Sequence, residues 1–157
     1  MKELLVAIIV IYNAQMLYAD TITRSCEKKD LLGTWSVTHI KVLNEKAKES
    51  LFHLVMPNQI RIYNEDNSLW TASAKNSLSN YKKLSKFPQG NTYSIKEGTV
   101  FTHKNNRLID KYRCDYFIND LKKANIKKGS ISFMWYGDNN KPILANVYEP
   151  ITKQSSQ

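Results

Sequence analysis

Arg107-Leu108-Ile109-Asp110-Lys111-Tyr112-Arg113-Cys114-Asp115-Tyr116-Phe117-Ile118 is the most regularly alternating stretch of this sequence. Leu108, Tyr112, Cys114, Tyr116 and Ile118 fall on one parity, and Arg107, Lys111 and Arg113 fall on the other. Successive side chains of a strand point to opposite faces, so this is a strand with one face in a core and one in water.

Turn signals recur roughly every dozen residues on either side of it, with short β-branched and aromatic runs between them, the spacing of an antiparallel sandwich or barrel. Residues 99–103 lead into the patterned strand through Lys104-Asn105-Asn106 and pair with residues 92–96 across Glu97-Gly98. Residues 59–63 and 68–74 form a hairpin around Asn64-Glu65-Asp66-Asn67, with Trp70, Ala72 and Ala74 on one face. Residues 130–136 and 142–149 close the chain as a hairpin about Gly137-Asp138-Asn139-Asn140. The first run, residues 34–42, starts directly after Gly33, and its apolar positions change parity between Val37 and Ile40. That shift marks a bulge, or a strand wetted on neither face.

Between Asn44 and Val55 the period changes. Ala47, Leu51, Leu54 and Val55 stand at helical spacing opposite Lys46, Lys48 and Glu49, which predicts one amphipathic helix closed by Pro57. Residues 120–128 predict a helical turn, with Lys122, Lys123, Lys127 and Lys128 exposed around Leu121 and Ala124. Residues 76–90 are polar and lysine-rich and end in Phe87-Pro88-Gln89-Gly90, a long excursion or a short helix suited to lining a barrel's mouth. The expected fold is all-β: a small antiparallel up-and-down β-barrel of about eight strands with one or two short helices.

Residues 1–19 have the layout of a signal peptide: Met1-Lys2-Glu3, an apolar run from Leu4 to Tyr12, and a polar stretch ending Leu17-Tyr18-Ala19. A bilayer span takes about 20 residues, more than that run supplies. Cleavage after Ala19 leaves residues 20–157 as a single domain with no transmembrane segment, exported to the periplasm or the medium. In an oxidising compartment Cys26 and Cys114 are expected to form a disulfide, worth roughly 3–5 kcal/mol in the chain-entropy model.

Lys and Arg outnumber Asp and Glu by 23 to 14, a net charge of +9. An exported protein does not meet nucleic acid in its ordinary course, so the excess either solvates the surface or faces an acidic protein or an anionic envelope polymer. The chain contains no nucleophile elbow, no zinc-binding His-Glu-x-x-His and no phosphate-cradling glycine loop. His39, His53 and His103 are dispersed, and a metal site needs three or four convergent ligands. No enzymatic activity, cofactor or metal is expected.

Leu31-Leu32-Gly33-Thr34-Trp35, at the entrance to the first strand, resembles the Gly-x-Trp signature of the lipocalins and the related fatty-acid-binding proteins, together the calycins. Cys114-Asp115-Tyr116 is similar to the lipocalin Thr-Asp-Tyr motif, keeping the Asp and the Tyr. The arginine that the family places near the end of the last strand has no counterpart, since Arg24, Arg61, Arg107 and Arg113 all precede that strand. The long helix after the barrel is missing too.

The resemblance implies a cup closed at one end by Gly33 and Trp35, open at the other, and holding a small apolar or amphipathic ligand without chemistry. Trp35 would plug the closed end whether or not the cup is occupied. The interior aromatics Tyr63, Trp70, Tyr93, Tyr112, Tyr116, Phe133 and Trp135 are the candidate ligand contacts, and the same rings would serve equally to fill the interior. Asp110 shares the parity of Tyr112, which places its carboxylate either in the cup or at its rim. The lysines around Lys82, Lys83 and Lys86 and those from Lys122 to Lys128 form a basic rim if both flank the open end, and a scattered solvated surface otherwise. The competing expectation is a filled barrel that presents these basic loops to an acidic partner or an anionic polymer.

Overall fold

The computed structural model describes residues 22–47, 58–73 and 91–151. The expected signal peptide, most of the expected helix between Asn44 and Val55, the polar excursion at 76–90 with Lys82, Lys83 and Lys86, and His53 lie outside the described residues.

Nine strands are ordered β1 (Thr23–Ser25), β2 (Gly33–Val42), β3 (Gln59–Tyr63), β4 (Ser68–Ser73), β5 (Asn91–Lys96), β6 (Thr99–Lys104), β7 (Arg107–Phe117), β8 (Ile131–Tyr136) and β9 (Pro142–Pro150). Strands β2 to β9 pair antiparallel in succession, and β9 returns to pair with β2. The result is the expected eight-stranded up-and-down barrel, an architecture compatible with a calycin-like fold. Closure satisfies the backbone groups that an open sheet would leave at its edges.

An N-terminal strap supplements the barrel. β6 pairs with β7 only as far as Arg113, and β1 takes over the same side of β7 from Asp115 to Phe117. The Cys26–Cys114 disulfide follows at once, with Cα atoms 5.4 Å apart and 88 residues of separation. The short helix α1 (Lys28–Leu31) then crosses the barrel end. Glu27 and Asp30 form a reciprocal capping box at its start. Leu31 is buried, and its carbonyl accepts the Trp35 indole N–H at 2.7 Å. Gly33 turns the chain from α1 into β2 at a φ of +123°, a conformation that side-chain-bearing residues rarely adopt.

Two bulges set which side chains enter the interior. In β2 the register with β9 shifts between Val37 and His39, which brings Trp35 and Val37 inside on one parity and Ile40 and Val42 on the other. The parity change in the sequence is this bulge. In β7 the register with β6 shifts between Thr102 and His103, where Leu108 pairs with His103 and Asp110 with Thr102. Ile109 is the extra residue. Leu108, expected inside by simple alternation from Tyr112, therefore lies exposed, because the bulge breaks the alternation between them.

One apolar patch of the outer surface is covered by the β7–β8 connection. Phe117 and Val147 are buried beneath Ala124 and Ile126, with Ile22 and Leu121 packed alongside. The expected helical turn there is a 3-10 turn, Lys122–Ala124, pinned by a bridge between Leu121 and Ile126. The described start of the expected helix after β2 is likewise a 3-10 turn, Glu45–Ala47. Asp115, the Asp of the family-like motif, faces outward and is held by Arg113, whose Nε lies 3.1 and 3.2 Å from its two oxygens. Burial pushes the Asp115 carboxyl up, with Arg113 pulling the other way.

Strand directions assign the two ends. The Trp35 end carries the strap, the turns at 64–67 and 97–98, and the β7–β8 connection with Lys122, Lys123, Lys127 and Lys128. The opposite end carries the turns at 105–106 and 137–141, and it is where β2 and β4 finish. The lysines of the β7–β8 connection therefore stand at the closed end rather than around a mouth.

Candidate functional site

β3 supplies the centre of the interior. Gln59, Arg61 and Tyr63 alternate onto one face, so each enters the barrel, while Ile60 and Ile62 turn outward. Arg61 pairs with Trp35 across the β2–β3 ladder, and its side chain is enclosed, 3% exposed.

The guanidinium is held by hydrogen bonds and by rings. Arg61 Nε donates to Gln59 Oε1 at 3.2 Å, and Nη1 donates to the Tyr112 hydroxyl at 2.9 Å and the Tyr63 hydroxyl at 3.4 Å. The Tyr63 and Tyr112 hydroxyls are 2.8 Å apart. Tyr148 donates to the same Gln59 oxygen at 2.5 Å and accepts from Asn146 Nδ2 at 3.3 Å. The Arg61 guanidinium carbon lies 5.2 Å from the Tyr112 ring centre, 5.5 Å from those of Phe133 and Trp135, and 5.7 Å from that of Tyr148. The rings brace one another, with Tyr112 4.7 Å from Phe133 and 4.8 Å from Trp135, and Phe133 5.0 Å from Tyr148.

Among the described residues no carboxylate forms an ion pair with Arg61. A charge taken out of water is costly unless something replaces its hydration. Here ring faces do so in part, a contact worth about 2 kcal/mol when desolvated, together with the phenol oxygens and Gln59 Oε1. Burial works against the Arg61 charge, but the oxygens of Tyr148, Tyr112 and Tyr63 outweigh it and hold the guanidinium above its ordinary value. The phenols answer in kind. Burial, with Tyr63 adding to it, pushes Tyr112 well above the ordinary tyrosine range, and burial raises Tyr63 against the pull of Arg61.

Toward the other end, the Trp135 indole N–H donates to both carboxylate oxygens of Asp110, at 3.0 and 2.9 Å. Asp110 is half-buried, so of its two expected placements it takes an intermediate one, facing inward near the end of its strand.

Four of the expected contacts, Tyr63, Tyr112, Phe133 and Trp135, thus converge on one interior cluster. Tyr93 is buried beside Tyr63, ring centres 5.0 Å apart, and its hydroxyl donates to the Asn64 carbonyl at 2.9 Å in the turn at the closed end. Tyr116 is half-buried at that end beneath Arg24, whose guanidinium carbon is 4.7 Å from its ring centre. Trp70 does not join them. It pairs with Ile62, the parity opposite to Arg61 and Tyr63, and so stands on the outer face, where Leu69 and Thr71 take the inner positions.

Arg61, Gln59, Asn146 and Tyr148 belong to the cluster and were not anticipated. The signal for Arg61 was its parity with Tyr63, obscured because the intervening residues, Ile60 and Ile62, are the apolar ones. Among the described residues no three His, Cys, Asp or Glu side chains converge as a metal site would require, and no described helix is long and apolar enough to cross a membrane.

The cluster offers a fixed cation, phenol hydroxyls and ring faces in a low-dielectric interior, a combination that attracts an anion carried on an apolar body. No protein-family model, curated protein or solved structure matches the chain.

Proposed function

We propose that the protein is an exported, non-catalytic binding protein, a lipocalin-like cup that holds a small amphipathic molecule with its anionic end toward Arg61. The observation that carries this reading is the enclosed Arg61 guanidinium, caged by Tyr112, Phe133, Trp135 and Tyr148 and without a carboxylate among its described partners. Such a charge gains more from an arriving anion than a solvated one does, because the desolvation is already complete on the protein's side. The surrounding rings suit the ligand's apolar body. The Cys26–Cys114 disulfide supports an oxidising compartment, and with it export to the periplasm or medium.

The test is native mass spectrometry of the oxidised protein with dodecanoate and with dodecanol, which share an apolar chain and differ in the charged group. A dodecanoate adduct that is weak or missing with dodecanol, and lost in Arg61→Met, supports the reading. Equal retention of both by wild type and Arg61→Met would establish an apolar cup indifferent to charge. Retention of neither favours a filled barrel that works through its basic surface.

A further inference from the structure

At the end of the barrel away from Trp35, the β6–β7 hairpin exposes Leu108 and Ile109, 55% and 52% accessible and the large hydrophobic residues most open to solvent among those described. Their exposure is built into the hairpin. The two-residue turn Asn105-Asn106 takes φ values of 50° and 61°, so Lys104 and Arg107 pair directly and the tip is tight. The bulge at Ile109 then sends two adjacent aliphatic side chains outward at once.

Among the described residues, the exposed charges on the hairpin beside that pair have one sign. Lys104, Arg107 and Lys111 are exposed on the same hairpin. The acid nearest the tip, Asp110, is turned inward onto the Trp135 indole, and Asp115 lies at the far end of β7, held by Arg113. On the neighbouring turn Lys141 and Asp138 offset each other.

We propose that this hairpin tip docks the protein on an anionic lipid surface, with Leu108 and Ile109 entering the headgroup boundary and Lys104, Arg107 and Lys111 on the phosphates. Two side chains bordered directly by charges are far too small for a stable protein–protein contact, which needs on the order of 1,000 Å² of buried surface. A lipid interface has no such requirement, because it admits single apolar side chains and rewards nearby cations individually. The tip stands at the end opposite the strap, so docking leaves the Trp35 plug and the disulfide undisturbed. The inference is independent of what the interior holds.

Flotation of the purified, oxidised protein with vesicles tests it, comparing phosphatidylcholine alone with an equal mixture of phosphatidylcholine and phosphatidylglycerol. Wild type is expected to float with the mixed vesicles and not with the neutral ones. The pair Leu108→Asn with Ile109→Asn, and separately the triple Lys104→Gln, Arg107→Gln and Lys111→Gln, should each lower the partition coefficient about tenfold or more. These side chains are exposed, so both variants should keep the wild-type near-UV circular dichroism spectrum. Replacing Lys122, Lys123, Lys127 and Lys128 by Gln removes four positive charges from the other end and should leave flotation nearly unchanged. The proposal is overturned if wild type ignores both vesicles. It is equally overturned if the Leu108/Ile109 variant floats like wild type, or if the four-lysine variant loses as much binding as the hairpin triple, since each result marks adsorption by net charge alone.

Discussion

The indole N–H of Trp135 lies between the two carboxylate oxygens of Asp110, 3.0 Å from one and 2.9 Å from the other, joining the neighbouring strands β8 and β7 through their side chains. Trp135 also forms one wall of the Arg61 cage. The carboxylate therefore fixes a ring against which the buried cation rests. Asp110→Asn keeps an acceptor for the indole and should cost little. Asp110→Leu leaves a buried N–H unsatisfied, and a loss of about 1–3 kcal/mol is expected. Urea denaturation measures the difference, and the near-UV circular dichroism of Trp135 should weaken in Leu and persist in Asn. Equal stability of the two variants would show that the bond does not position the ring.

The Cys26–Cys114 bridge closes a loop of 88 residues, and in the chain-entropy model a loop of that length is worth about 4–5 kcal/mol. Cys114 sits inside the barrel and Cys26 on the strap, so the bridge anchors α1 over the Trp35 end. The Cys26→Ala, Cys114→Ala double variant should lose several kcal/mol in urea. Its Trp35 environment should loosen first, because the Leu31 carbonyl that holds the indole rides on the strap. A double variant as stable as the oxidised protein would mean that β1 and α1 hold the end unaided.

The barrel was legible in the sequence because its turns are chemically explicit. Glu97-Gly98 and Asn105-Asn106 both adopt positive φ, as two-residue hairpin turns demand, and the residues that flank them pair as the sequence implied. The Val37 to Ile40 parity change announced a real bulge. What was hidden depended on neighbours rather than on local pattern. The Ile109 bulge has no apolar parity break before Leu108 to announce it. β1 is three residues long and exists because β6 ends early and leaves β7 unpaired there. Arg61 reads as a solvent-facing residue between two isoleucines until closure of the barrel puts its face inside.

The β5–β6 turn couples to the strap through Gly98. At a φ of +72° it has no room for a side chain, since a Cβ would lie 2.8 Å from the Ser25 Cβ. Gly98→Ala combines left-handed strain with a clash against β1, and a loss of about 1–3 kcal/mol is expected. Gly33→Ala meets nothing within 4 Å and carries only the strain of its φ of +123°. Thermal unfolding should therefore show the larger drop for Gly98→Ala, and Ser25→Gly should recover part of it. Failure of that rescue would place the cost in the turn alone.

The strap also carries an acid-sensitive contact. Arg24 grips Asp30 with two hydrogen bonds of 2.6 and 2.7 Å, and the Glu27 backbone N–H adds a third at 2.8 Å. Burial works against the Asp30 charge, yet the Arg24 and Glu27 contacts outweigh it and leave the carboxyl below its ordinary value. A carboxyl depressed in the folded state binds fewer protons there than in the unfolded chain. Its contribution is present above the ordinary aspartate range and is lost as pH falls through the folded value. The stability of Asp30→Asn should accordingly fall less steeply than that of wild type below about pH 4. Parallel slopes in the two proteins, measured by urea titration at successive pH values, would remove Asp30 from the account.

At the alkaline end the buried phenols reverse the sign. Tyr63 and Tyr112 are raised by burial, and burial pushes Tyr93 up to about 12. An unfolded tyrosine loses its proton near pH 10, so above that pH the unfolded chain binds fewer protons than the folded one. Stability is then intact below about pH 10 and declines as pH rises toward the folded values. Absorbance of tyrosinate from Tyr63, Tyr93 and Tyr112 should rise only above the ordinary tyrosine range, coincident with loss of near-UV circular dichroism. Tyr112→Phe removes one proton from that late rise. The Tyr63 hydroxyl keeps its contact with Arg61 in that variant, so the cage should survive. A single smooth titration of all phenols with the fold intact would mean that water and hydroxide reach the interior freely, and the enclosed state of Arg61 would fall with it.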